Sequence, residues 1–369
     1  MNNFTRYLAG GVSALGLLAS ATFANAADLT PQEQALVAAA KEEGAVTLIH
    51  PLFSDRTGQL LGEAFVARYD LGPDFQVNFL RKGTGAAVSQ VRQEIQAGKF
   101  TVDSILVSAP GFFAAAAERG AFEELDSGYW KDHEKIATEA GQYFDYPYVV
   151  VPLAYTFQPV WNASCEGMEN INIGNYGDAV DPALKGKTIA SDITKSFTYT
   201  NTAISLRENG ILDLDAYWPE LKATDPIIEF RTEPKMQMVI SCQAPLDMWN
   251  LSGRVYQNVL KQPDLKDKIK IGSYEEGQVM LGNQIAVIKG AQHPNAAKLL
   301  VEFLLSKEGT DIFVEGEAVY SFMEGYTPPE GAAPYLVDIT KIKLLGMKDW
   351  IAAQGDFEKV RGDWQRVFQ

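Results

Sequence analysis

Histidine and cysteine are scarce in this chain, three of the first and two of the second among 369 residues. His50, His133 and His293 lie far apart, and none belongs to a nucleophile pattern with a Ser or Cys. Neither Cys165 nor Cys242 sits in a CxxC pair or near a histidine, so zinc binding and thiol redox catalysis lack their ligands. GxSxG and HExxH are also missing, which removes two hydrolase signatures. A secreted hydrolase working through paired carboxylates stays open, because 47 acidic residues are available. Basic residues run short as well, with 32 Lys and Arg and a net charge of −15. That field repels nucleic acid and anionic lipid, so neither is expected as a partner. An anionic ligand would have to be met by local donors.

Long apolar runs are absent beyond the N-terminus, and no later segment reads as a bilayer span, which needs about 20 apolar residues. The one such run, Leu8 to Phe23, follows Arg6 and ends at Ala24-Asn25-Ala26. This is the layout of a secretory signal, residues 1–26, cleaved after Ala26. The run is short for a membrane anchor, and no lipobox cysteine accompanies it. The predicted location is therefore the periplasm. Its oxidising chemistry allows Cys165 and Cys242 to pair, with two buried thiols as the alternative. Residues 27–369 are too many for one small core and suit two lobes.

The apolar pattern alternates between strand and helix. Thr30 to Glu43 reads as a helix with Thr30 as N-cap, Pro31 in the first turn and Glu33 in capping-box position. Residues 45–50 read as a buried strand, 52–57 as a loop, 58–69 as a helix and 75–80 as a second strand. This order implies a parallel pair with a right-handed crossover. Arg81-Lys82-Gly83-Thr84-Gly85 then leads to a helix from about 87 to 97, and 102–107 forms the next strand. Strand character returns across 143–157. A helix is expected from Ser196, another over 214–224, and further elements over 235–241, 245–250 and 268–271. Gln284 to Ile288 reads as a strand broken at Gly290; Pro294 starts an amphipathic helix, with Gly309 as its αL stop.

The run KGAQHPNAAKLLVEFLLSKEGTDIF, residues 289–313, resembles the late signature of bacterial periplasmic solute-binding proteins of the iron(III) type, which serve ABC importers. AAKEEGAVTLIH, GTG and AGKFTVDSILVS resemble the first lobe of that family, and LKGKTIA resembles a strand of its second lobe. The resemblance implies an α/β, two-lobed type II periplasmic binding protein. Each lobe would be a mixed sheet flanked by helices, with crossing hinge strands between them. Lobe 1 would comprise 27–155 and 284–369, including a C-terminal cap over 334–369, and lobe 2 would comprise 156–283. It further implies a monomer that hands a small-molecule solute to an inner-membrane permease, with no cofactor and no catalysis.

Ligand sites in such sheets form beyond the carboxyl ends of strands. Four loops meet that rule. Phe53, Ser54 and Asp55 follow the first strand, with helix capping as the alternative role. Gly83, Thr84 and Gly85 could present amides to an anion or form a plain turn. Ser196, Thr198 and Tyr199 lie where the family places an anion-binding Ser/Thr loop; capping alone is the alternative. Asp247, Trp249 and Asn250 stand where the family's iron carriers have adjacent metal-binding tyrosines. Indole cannot ligate iron, so Trp249 is expected to stack on an organic solute while Asp247 takes a cation or hydroxyl; Trp249 as core is the alternative. Ser108, after the third strand, joins the candidate set. The expected cargo is a small organic solute, anionic or zwitterionic. Ferric iron is the alternative, and Tyr320 and Tyr326 are poorly placed to ligate it.

Overall fold

Capping fixes where the first helices begin. The Thr30 hydroxyl accepts from the Glu33 amide at 3.1 Å, and the Glu33 carboxylate accepts from the Thr30 amide at 2.6 Å, closing the expected capping box. Gly44 ends that helix in the left-handed region at φ 71°. The second helix starts earlier than its apolar pattern implies. The Ser54 side chain accepts from the Thr57 amide, so the helix opens at Asp55.

The computed structural model describes residues 29–339, 341–347 and 349–369, so the expected signal peptide lies outside the described residues. The first part runs α1 (Pro31–Glu43), β1 (Ala45–His50), α2 (Asp55–Arg68), β2 (Gln76–Arg81), α3 (Thr84–Ala97), β3 (Ser104–Val107), α4 (Pro110–Ala117) and α5 (Glu134–Glu139). A long strand, β4 (Val150–Asn162), leads into the second part. There follow β5 (Thr188–Ser191), α6 (Phe197–Glu208), α7 (Leu214–Ala223), β6 (Ile227–Glu229), α8 (Thr232–Ile240), β7 (Leu246–Leu251), α9 (Ser252–Lys261), α10 (Leu265–Lys268) and β8 (Ile269–Ile271). Strand β9 (Gln278–Val287) returns the chain to α11 (Pro294–Leu305), α12 (Lys307–Glu317), β10 (Tyr320–Ser321), β11 (Leu344–Leu345) and α13 (Trp350–Phe368).

Strand order along the sheet path is β2-β1-β3-β9-β4-β7-β5-β6. β1 pairs parallel with β2 and β3, as the strand–helix–strand order requires, and β5 pairs parallel with β6 and β7. The antiparallel β4–β9 pair joins the two halves. Val150, Val151, Leu153 and Ala154 of β4 enter one core, and Phe157 and Trp161 enter another. Each half thus has its own apolar interior, the condition for two lobes.

Further details differ from expectation, among them β4, which begins at Val150 and runs to Asn162 where strand character is expected over 143–157. β9 begins at Gln278, six residues before the expected strand. Gly309 does not end α11: the Ser306 side chain accepts from the Gly309 amide and starts α12, so one expected helix is two. A Cβ at Gly309 would lie 2.2 Å from the Phe303 carbonyl oxygen, so close packing selects glycine there. The C-terminal cap, expected on the first lobe, places Phe357, Val360 and Trp364 in the second-lobe core. It also touches α4 of the first lobe. Its apolar stripe fits the surface left open by α6 and α7.

Cys165 and Cys242 form a disulfide within the second lobe, their Cα atoms 5.6 Å apart. Among the described residues no helix is long and apolar enough to cross a membrane.

Candidate functional site

A cleft of about 690 Å³ opens between the lobes. Its first-lobe wall holds Pro51 and Leu52 after β1, Arg81 at the end of β2, and Gly83 to Ala86 at the start of α3. The second-lobe wall holds Thr194 to Tyr199, Phe230 to Pro234, Leu251 and Arg254. Tyr155 and Phe157 of the crossing strand β4 form part of the lining, and α13 adds Arg361. These positions follow the carboxyl ends of β1, β2, β5, β6 and β7.

Four helices begin at this lining: α3, α6, α8 and α9. Only α6 has a side-chain cap, from Ser196; the N-caps of α3, α8 and α9, which are Gly83, Arg231 and Leu251, supply none. First-turn amides without side-chain partners, together with the helix dipoles, favour an anion.

The charges agree. Arg81, Lys195, Arg231, Arg254 and Arg361 line the cleft, against the single carboxylate of Glu233. Arg231 pairs with Glu229, and Arg361 reaches Glu358 at 3.5 Å. Among the described residues Arg81, Lys195 and Arg254 make no ion pair. Arg254 spends its donors on neutral oxygens, Thr232 Oγ1 at 3.1 Å and Gln257 Oε1 at 2.6 Å. Burial holds its guanidinium below the usual range, against the pull of Glu317, and the nearby charge of Arg81 adds to the effect. A chain of net charge −15 has thus gathered uncompensated positive charge at one place.

The structure brings together Gly83, Thr84, Gly85, Ser196, Thr198 and Tyr199 across the cleft. The lobes approach closely here: a Cβ at Gly85 would lie 3.1 Å from the Phe197 ring. Phe53, Ser54 and Asp55 lie elsewhere, along an outer groove between α2 and β2. Phe53 stacks on His50 at 3.5 Å, and Glu317 takes both the Ser54 amide and the Thr57 hydroxyl at 2.7 Å. Ser108 is buried and does not line the cleft.

Asp247, Trp249 and Asn250 are not in the cleft either. A loop is expected at Asp247, but β7 runs to Leu251, so all three are strand residues buried in the second lobe. Asp247 pairs with buried Lys235. The Trp249 ring enters the core beside Tyr217, Trp218 and Met248, around a small cavity of about 20 Å³. The Asn250 amide donates to the Thr232 carbonyl oxygen at 3.3 Å. Trp249 is therefore a core residue.

The histidines hold contacts away from the cleft. His133 meets the Leu305 carbonyl oxygen at 2.8 Å, and His293 meets Asp103 at 3.0 Å. Tyr320 accepts from the Val337 amide, and Tyr326 donates to Asp311, so neither faces the cleft.

The cleft cations were not among the expected ligands. Two carried a local signal, since Arg81 stands two residues before Gly83 and Lys195 precedes Ser196. Arg361 carried none, because a helix from the far end of the chain delivers it.

No protein-family model matches the chain, and no curated protein matches its sequence. Solved structures do match its shape. Iron-bound HitA from Pseudomonas aeruginosa superposes with a TM-score of 0.70 at 17% identity, covering 88% of this chain and 99% of that one. The periplasmic binding protein AfuA from Actinobacillus pleuropneumoniae, with fructose-6-phosphate bound, gives 0.69 at 17% identity, covering 88% and 98%. An ABC-transporter substrate-binding protein from Agrobacterium tumefaciens gives 0.72 at 15% identity, covering 88% and 94%. At these identities the likeness is one of architecture: the chain has the two-lobed fold of periplasmic substrate-binding proteins.

Proposed function

We propose that this protein is the solute-binding component of an ABC importer, and that it captures a small organic anion between its lobes. Hinge bending about β4 and β9 closes the cleft, and the closed form presents the solute to a permease in the inner membrane. The signal-like N-terminus supports a periplasmic location. Lobe 1 is assigned residues 27–155 and the segment from 284 through β10. Lobe 2 is assigned 156–283 together with α13. The protein acts as a monomer and needs no cofactor; capture and release require no bond to be made or broken.

The observation that carries this reading is the excess of positive charge at the cleft of a strongly acidic chain: five cations line it against one carboxylate, and three of them, Arg81, Lys195 and Arg254, make no ion pair among the described residues. Tyr155, Phe157 and Phe197 add apolar rings, which suit the carbon part of an organic anion.

The fold neighbours include iron binders, so ferric iron is the second reading. Iron(III) wants anionic oxygens. The cleft offers one carboxylate, and burial pushes the Tyr155 and Tyr199 phenols up, toward the neutral form. The cation-rich lining therefore favours the organic anion. Thermal unfolding against small carboxylates, phosphate esters, neutral sugars and ferric citrate tests the choice. Stabilisation by an organic anion, lost in Arg254→Ala, supports the proposal. A ferric-dependent shift with a tyrosinate absorption band would replace it with iron.

A further inference from the structure

We propose that Arg361, delivered by the C-terminal helix α13, is a specificity-determining contact of the cleft, gripping an oxyanion of the solute together with the first turn of α6. The inference rests on the reading of the cleft as an anion site. It assigns to the tail a binding role beyond bracing.

Four observations converge on this residue. The first is anchoring. Phe357, Val360 and Trp364 fix α13 in the second-lobe core, so the arginine is presented from a rigid element. The second is pre-organisation. The guanidinium carbon lies 5.1 Å from the centroids of both Phe197 and Phe357, which hold the fork in place before any ligand arrives. An arginine held this way loses little rotamer freedom on binding.

The third is charge only partly spent, on the exposed Glu358 and the more distant Asp192. Nε donates to Thr200 Oγ1 at 3.0 Å, a neutral partner, and Nη1 reaches Glu358 at 3.5 Å, whose side chain is 89% exposed. Thr200 belongs to the opening turn of α6, so a guanidinium stands beside the positive end of a helix. Two like charges held together are unfavourable alone and become favourable once an anion joins them. The fourth is position. Phe197, which clamps Arg361, is the same ring that approaches Gly85 of the first lobe. A group held there lies where the lobes meet and would be shielded from water on closure.

The ligand chemistry implied is an oxyanion able to accept two parallel N–H bonds, a phosphate or a carboxylate. Titration calorimetry of wild type, Arg361→Ala, Arg361→Gln and Arg361→Lys with inorganic phosphate, glycerol 3-phosphate and citrate tests it, alongside thermal midpoints. The expected result is at least tenfold weaker binding of the preferred probe in Arg361→Ala and Arg361→Gln. Arg361→Lys should recover part of the loss, with midpoints close to wild type. The phosphate and citrate arms distinguish the two sources of the oxyanion. Wild-type affinity in either folded neutral variant overturns the role of Arg361 while leaving the cleft reading intact. If wild type binds none of the three probes, the anion reading of the cleft falls and this inference with it.

Discussion

Lys235 Nζ lies 3.0 Å from Asp247 Oδ1, with both side chains fully buried beneath the cleft wall of the second lobe. The ammonium also donates to Ser191 Oγ at 2.8 Å and to the Trp249 carbonyl oxygen at 2.6 Å, and it lies over the Tyr199 ring. Burial lowers the Lys235 pKa, and Asp247 pulls it back. The pair therefore ties α8 to β7, whose neighbouring helix starts carry Arg231 and Arg254. Asp247→Ala should cost about 3–5 kcal/mol by leaving a buried charge alone. Replacing both residues with apolar ones of similar size should cost less. Urea unfolding checks this; a folded Asp247→Ala protein of unchanged stability would show that the pair is not holding the lobe together.

Trp249→Ala separates a core role from a ligand role. Loss of a buried indole should destabilise by about 3–5 kcal/mol. Ligand affinity measured at a temperature where the variant is folded should stay within a few-fold of wild type. A large affinity loss without destabilisation would return Trp249 to the ligand set.

The Cys165–Cys242 bridge closes a loop with a sequence separation of 77. Removing both cysteines as a Ser/Ser variant should lower stability by about 2–4 kcal/mol, largely by freeing the unfolded chain. The cleft stands apart from the bridge, so anion affinity should survive. Equal denaturation midpoints with and without reductant would contradict the prediction.

Glu302 gives a pH dependence with a definite sign. Its carboxylate is buried and accepts from the Gly128 amide at 2.8 Å; burial raises its pKa from 4.5 to about 7, against that bond and one from Ser127. Between those values the folded state holds a proton that the unfolded state has lost. Its contribution to stability is therefore complete below pH 4.5 and disappears as pH rises through 7. Glu302→Gln removes this dependence. The stability of the variant relative to wild type should rise by about 3 kcal/mol between pH 4.5 and 7.5. A constant difference across that range would show that Glu302 does not titrate as described.

Local rules made much of the fold legible. The capping box at Thr30 and the parallel crossover through α2 follow from spacing alone, as does the Pro294 helix start. The cleft lining was legible where a glycine turn or a Ser/Thr helix start follows a strand, as at Gly83 and Ser196. It was not legible around Trp249, because a strand continuing to Leu251 and a loop beginning at Asp247 have the same residues. One more pair of buried strand positions turns a supposed ligand contact into core. Arg361 was hidden for another reason. Its place in the cleft depends on how α13 packs against α6, a tertiary relationship that no local pattern encodes.

The most direct test is native mass spectrometry of the protein purified without denaturation, followed by release of whatever it carries. The account predicts an organic anion of small mass, lost when Arg254 is replaced by alanine. A protein that carries ferric ion and no organic anion, or whose anion is retained undiminished in Arg254→Ala, would contradict it.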